Sequence, residues 1–366
     1  MSGPLAGVRV LEFTGIGPGP FATMLLSDLG CEVTRIDRPG GDPRLPVDIT
    51  SRGRVSVELD LKDANAVAFA LDAIARADVL IEGYRPGVME RLGLGPEVAL
   101  ARNPRLVYGR VTGWGQTGPL ANAAGHDINY IALTGALHAL GNPGTPPPPP
   151  LNLVGDFGGG ALYLALGVVA ALYERDRSGR GQVIDAAIVD GVASLTAILH
   201  SLAASFPGST ERGRLGLAGG APNYRCYECA DGEYIAVGAL EPQFHALLLE
   251  SVGVGLDVRD REPGETAGWA EEIAALDAAF RRRTRDEWAA LLERSDACVQ
   301  PVLALADAAQ HPHLAARQTY TEVEGVTQPA PAPRFSRTPG RVGSSAPQPG
   351  EGGLARLREW GVLRDL

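Results

Sequence analysis

The chain is poor in the groups that carry metal, disulfide and nucleic-acid chemistry. Its four cysteines, Cys31, Cys226, Cys229 and Cys298, are too few and too scattered for a disulfide framework. Cys226 and Cys229 form a C-x-x-C, but "YRCYECADGEYIAVGAL" reads as a hairpin turning at "ADGE". Side chains alternate along a strand, so residues three apart face opposite ways and the two sulfurs diverge. No redox or metal pair is expected, and the cysteine usage fits a reducing cytoplasm. The formal net charge is -10, which leaves no broad basic surface to displace phosphate counterions, so nucleic acid is excluded as a partner. A small anionic ligand stays open if arginines cluster locally.

Histidines number six, with no H-x-x-x-H and no Cys/His cluster, so no metal is expected. A G-x-S-x-G elbow and a P-loop lysine are also missing. His138 and His200 lie among apolar residues in helical patterns and read as packed or hydrogen-bonded. His245 falls in the first turns of a helix, and His311 and His313 in the polar "QHPHLAA". None of these five reads as catalytic. The start, "MSGPLAGVRV", has neither a charged n-region nor an apolar h-region, so no signal peptide is expected. "LRDL" at the end is no address signal. The longest apolar stretch, "FGGGALYLALGVVAALY", lies between Asp156 and Glu174 with glycines at its head. It reads as a buried core helix rather than a membrane span.

What is present is a globular composition, 45% hydrophobic and 21% charged, in 366 residues, which suits two domains. The first third alternates strand and helix: "VRVLEF", "FATMLLSDLG", "EVTRID", "SVELDL", "AVAFALDAIARA", "DVLIEGY", "LVYGRVTGW". That alternation predicts an α/β fold with a largely parallel sheet. "NPGTPPPPP" is a stiff surface connector. It leads to the core helix, the strand "VIDAAIV" and a helix over 191–206. The boundaries read as a large Rossmann-like domain over 1–206 and a glycine-rich linker over 207–223. A smaller α+β domain covers 224–315, and an extended segment over 316–366 returns to the large domain.

The turn "GIGPGPFATM" after the first strand resembles a dinucleotide fingerprint, but Pro20 stands where the third glycine belongs. Asp37 ends the second strand where a ribose-binding carboxylate would sit, yet Arg38 follows it. NAD is therefore not expected. "AGHDINY" places His126 before a helical run, at a helix N-terminus where free amides favour negative charge. Asp127 reads equally well as a plain N-cap with His126 a bystander. "VGDFGGG" repeats the arrangement with Asp156, and its glycines allow another molecule to approach the backbone. Glu241 in "ALEPQF" opens a third helix with Pro242 at its first position. An imidazole and a carboxyl opposed across a ligand suit proton removal next to a carbonyl. Helix amides would stabilise the enolate oxygen.

These stretches, with "EGYRPGVMERLGLGPE", "TGWGQTGP", "SGRGQVIDAAIVDG", "SDACVQPV" and "PAPRFSRTP", run along nearly the whole chain. Together they resemble the family III CoA-transferases, and within that family the α-methylacyl-CoA racemases. The resemblance implies an interlocked homodimer whose active site joins one subunit's large domain to the partner's small domain. It assigns His126 and Asp156 as the catalytic pair and the Asp127 backbone amide to the enolate oxygen. Glu241 would orient the histidine across the dimer. Coenzyme A contacts fall on Arg38, Leu59, Asp60, Leu61, Lys62, Glu82, Gly83, Tyr84, Arg91, Gly125, Ile128, Asn129 and Tyr130. The glycine turn becomes a mouth for the pantetheine and diphosphate. No cofactor is needed, since coenzyme A arrives as part of the thioester. One alternative is a CoA-transferase that uses Asp156 as a nucleophile to form an acyl anhydride. His126 argues against it, because the transferases often carry tyrosine there. A second alternative is a non-catalytic acyl-CoA-binding protein. Branched fatty acyl and sterol side chains both fit the loops around "LHALGN".

Overall fold

A computed structural model describes residues 3–13, 15–40, 45, 47–257 and 266–364. Six strands form one fully parallel sheet: β1 (Arg9–Phe13), β2 (Glu32–Asp37), β3 (Arg54–Glu58), β4 (Val79–Glu82), β5 (Val107–Thr112) and β6 (Gln182–Ala187). Their order, β3-β2-β1-β4-β5-β6, reverses direction between β1 and β4. At such a switch point the loops leaving the carboxyl ends part and open a crevice for ligands. Strand burial follows from helices on both faces. On β1, Leu11 and Phe13 join a core with Ile36, Phe69, Leu80 and Tyr108, while Val10 joins one with Val33, Ile81 and Leu164.

The strand expected over "SVELDL" starts two residues earlier and ends at Glu58. Leu59 still donates to the Asp37 carbonyl, after which Asp60 accepts the Lys62 amide and turns the chain. Helix α1 (Pro18–Asp28) follows the glycine turn, and α2 (Ala64–Ile74) is capped by the Asp63 carboxylate. Helix α3 (Asp127–Leu133) begins directly after His126.

The apolar stretch expected to form a single core helix divides. Leu153–Leu162 is a π-helix, with the Phe157 amide reaching Asn152, and α4 (Tyr163–Ser178) continues it as an ordinary helix. Leu164, Val168, Ala171 and Leu172 lie buried on the sheet, while Leu166 and Tyr173 are exposed. By length and composition alone, Leu153–Ser178 could cross a membrane. The helix expected over 191–206 also divides, into α5 (Ile188–Leu195) and Ala197–Ser205, with Thr196 between.

By its internal contacts one unit holds residues 1–134, 150–195 and 312–366, and the other 135–149 and 196–311. The second unit thus takes in the proline run and residues 196–206, which composition assigns to the first domain. In the first unit the closing segment lies along the sheet: Arg341 donates to Asp28, Gly53 to Ser344, and Ser56 to Glu351. Its last helix, Gly353–Glu359, buries Leu357 beside Trp360, whose indole donates to Glu32.

In the second unit β7 (Tyr224–Glu228), β8 (Tyr234–Gly238) and β9 (Val299–Pro301) form an antiparallel sheet, with β9 unforeseen. Its three residues are too short for a legible alternation. Tyr227, Ile235, Leu248, Phe280 and Trp288 pack behind it. Cys226 is exposed and Cys229 buried, as their strand spacing requires.

Candidate active site

The residue pair singled out in the sequence meets through backbone chemistry. Asp156 lies in the first turn of the π-helix, where amide groups have no intrahelical acceptor. Its N–H donates to the Asp127 carboxylate, 2.7 Å from Oδ2. Asp127 is the residue after His126 and the first of α3, so His126 and Asp156 are linked through a single side chain. The His126 imidazole is exposed, Asp127 is 9% exposed, and Asp156 is half-buried. Burial pushes the Asp156 carboxyl up to about 6; the Asp127 charge adds to that rise and His126 opposes it.

The glycine-rich turn has a role the sequence did not disclose. Gly17, the residue that caps α1, has φ +79°, and a Cβ there would lie 3.2 Å from the Asp156 carboxylate. The turn therefore lies directly against the carboxyl. Arg54, buried on β3, donates to the Pro20 carbonyl and pairs with Glu12 at 3.1 Å, which holds the first turn of α1 in place. Phe21 stacks on Phe157 at 4.1 Å between ring centres, one residue from Asp156.

The glycines after Asp156 also differ from expectation. Gly159 and Gly160 are buried against Val192, Ile188 and Pro18, and a Cβ on Gly191 would strike the Gly159 carbonyl. They admit α5 of the same chain, not a ligand. Close helix–helix approach explains them, and nothing in a single stretch of sequence distinguishes the two uses.

His126 is held from below. Its amide donates to Asn129 Oδ1 at 3.0 Å, and the Tyr130 phenol donates to the Gly125 carbonyl. The Tyr130 ring packs edge-on to Trp114 at 4.8 Å and fills space that a Cβ on Gly113 or Gly125 would occupy.

Among the residues matched to coenzyme A contacts, Arg38 follows β2, residues 59–62 follow β3, residues 82–91 end and follow β4, and residues 125–130 lie in the segment after β5. Arg38, Asp60, Lys62, Gly83, Arg91, Ile128 and Asn129 are exposed; Leu61, Tyr84 and Gly125 are half-buried. Three side chains face inward. Leu59 belongs to the core. Tyr130 is buried as described. Glu82 is fully buried, accepting from Arg110 Nε at 2.7 Å and from the Tyr84 amide at 2.8 Å, and burial raises its pKa. Any contact these three make with a ligand would run through the backbone.

Glu241 lies in the second unit as the exposed cap of α6 (Pro242–Val252). His245, one turn on, is buried against Glu272 and is structural. His311 pairs with Glu293 at 3.3 Å. His138 and His200, expected to be packed or hydrogen-bonded, are both exposed. Gly155 is the contributor missed from sequence, where its place immediately before Asp156 was the available signal; Gly17 was read only as part of the turn, not as a neighbour of Asp156.

A family model described as CoA-transferase family III matches residues 5–352. Among curated proteins, the α-methylacyl-CoA racemase of Mus musculus is 45% identical over 363 residues, covering 99% of this chain and 94% of that protein. The α-methylacyl-CoA racemase of Homo sapiens is 43% identical over 336 residues, covering 92% and 87%. Among solved structures, a CAIB/BAIF family protein from Brucella suis superposes with a TM-score of 0.83 at 28% identity, covering 98% of this chain and all of that one.

Proposed function

The chain belongs to CoA-transferase family III, and from that premise we propose that it interconverts the (R) and (S) forms of 2-methylacyl-CoA thioesters. It is an isomerase on this reading. The observation that carries it is the Asp127 bridge, which ties a carboxyl to the residue beside an imidazole in a chain 43–45% identical to two racemases. In one direction a member of the pair removes the α-proton. The C–H electrons form the enolate C=C as the carbonyl electrons move to oxygen, and the other member returns a proton to the opposite face. As the first residue of α3, Asp127 has an amide with no intrahelical acceptor, suited to the enolate oxygen.

Solvent deuterium should wash into the α-carbon of a 2-methylacyl-CoA panel while the substrate racemises. Transfer of coenzyme A onto an added carboxylic acid would mark a transferase instead. Tight CoA binding without wash-in would mark a binding protein. Arg38, exposed just past β2, is assigned to a CoA phosphate. Arg38→Ala should raise KM about tenfold, the worth of one charged hydrogen bond, with kcat nearly unchanged. Unaltered affinity would move the phosphates elsewhere.

The pair works with one proton between its two members. Asp156 holds a proton up to about 6, so the acid limb of kcat/KM should fall near that pH rather than near 4. Activity rises with pH through the limb as Asp156 ionises. Both directions share the limb, since the equilibrium constant of a racemisation does not depend on pH. An acid limb near 4 would remove Asp156 from the pair.

The functional molecule on this reading is a homodimer in which Glu241 of a second copy orients His126, and sedimentation at working concentration tests it.

A further inference from the structure

We infer that the Asp127 carboxylate is a positioning residue, which caps the π-helix and thereby sets Asp156 against His126. The inference rests on the racemase reading above for its kinetic consequence but not for its geometry.

A π-helix leaves its first amides without internal acceptors, and such helices are rare and frequently found at functional sites. Asp156 carries one of those amides, and its acceptor comes from 29 residues upstream. The chain makes room for that acceptor. A Cβ on Gly155 would lie 2.3 Å from Asp127 Oδ2 and 2.7 Å from its Cγ, so only glycine admits the carboxylate. The other end of the strut is equally fixed. Asn129 accepts the His126 amide, and Tyr130 holds the Gly125 carbonyl before it. A carboxylate held in this way leaves α3 and the π-helix little freedom to slide past each other.

The same side chain acts electrostatically. Its Oδ1 is buried without a hydrogen-bond partner among the described residues, so its charge is poorly screened. Among the described residues, Asp127 and His126 are the charged groups acting on Asp156, and Tyr130 stands behind them on α3. On the other packed elements, α1 offers Pro18 and Phe21 and α5 offers Ile188 and Val192, while the carboxylates of those two helices, Asp28 and Asp190, are not among the charges that shift Asp156. Removing the Asp127 charge should therefore let Asp156 ionise at lower pH.

The test uses the full chain with Asp127→Asn, Asp127→Ala and Gly155→Ala, each checked for folding by circular dichroism. Asparagine keeps an acceptor for the Asp156 amide and drops the charge. Asp127→Asn should lose far less kcat than Asp127→Ala, and its acid limb should move down in pH. Asp127→Ala should lose on the order of 100-fold in kcat, the scale of a reacting group misplaced by about an ångström, with KM within about twofold. Gly155→Ala should follow the alanine variant, because its methyl group displaces the carboxylate. A carboxyl-carbon NMR titration of Asp156 should show the same downward shift in Asp127→Asn without any substrate. An unmoved titration in Asp127→Asn overturns the electrostatic part. A rise in KM at constant kcat in Asp127→Ala overturns the positioning. If the unaltered protein exchanges no α-hydrogen, the racemase reading fails while the titration still decides the coupling.

Discussion

His126→Ala is expected to cut solvent deuterium exchange at the α-carbon by about 10²–10⁴-fold from one enantiomer, and far less from the other. The reason lies in the proposed placement of the two groups on opposite faces of the α-carbon. With the imidazole gone, Asp156 still faces one side of the stereocentre and can remove and return hydrogen there, so that enantiomer exchanges without inverting. The enantiomer that presents its proton to the missing base does not exchange. Asp156→Asn should show the reverse preference, and racemisation should be lost in both variants. Asparagine suits this position because it preserves the size of the side chain beside Gly17. Equal and mild losses from both enantiomers in either variant would count against two opposed groups. Unchanged racemisation in Asp156→Asn would remove that residue from the reaction.

Arg52→Met should destabilise the first unit by about 3–5 kcal/mol, lowering its melting temperature by roughly 6–15 °C. Arg52 is 2% exposed and pairs with Asp28, also 2% exposed. Its other nitrogen donates to Gln328 Oε1 at 2.7 Å and to the Pro329 carbonyl at 2.8 Å, which ties the closing segment to α1. Without the guanidinium, Asp28 is left as an unpaired buried charge, the costly half of a broken pair. Burial already raises the Asp28 carboxyl against the pull of Arg52. In the variant its folded pKa climbs further above the unfolded value. Such a group favours the folded state at low pH, and that contribution is lost as pH rises through the folded pKa. The deficit should therefore be smaller near about pH 5 than near about pH 8. The double variant Asp28→Leu/Arg52→Met should recover part of the loss, since neither charge of this pair remains buried. A single variant as stable as the parent would mean that water reaches this pair.

Much of the first unit was legible because its signals are local. The first third alternates short strand-like and helical stretches, and β2 begins and ends where "EVTRID" does. The candidate site was legible residue by residue: His126, Asp127 and Asp156 each stood out as a polar group at the mouth of a helix. What joins them was not. Gly17 and Asp156 are far apart in the chain, and so are Asp127 and the Asp156 amide. Sequence spacing carries no information about such contacts unless the fold is already known. The glycine run at 158–160 misled for the same reason, because a close approach looks alike whether a ligand or another helix makes it. The π-helix itself was invisible, since its side-chain pattern passes for an ordinary apolar helix and its register is decided by which acceptor meets each amide.

By itself the sequence determined the alternation of strands and helices in the first third and the residue types able to move a proton, because periodicity and capping act over a few neighbouring positions. Only the tertiary structure decided that Gly17, Asp127 and Asp156 share one place, that Leu59, Glu82 and Tyr130 turn inward, and that the glycines serve packing. Those outcomes depend on contacts between distant segments, and the free energy of such a contact appears only once the sheet has brought its carboxyl ends together.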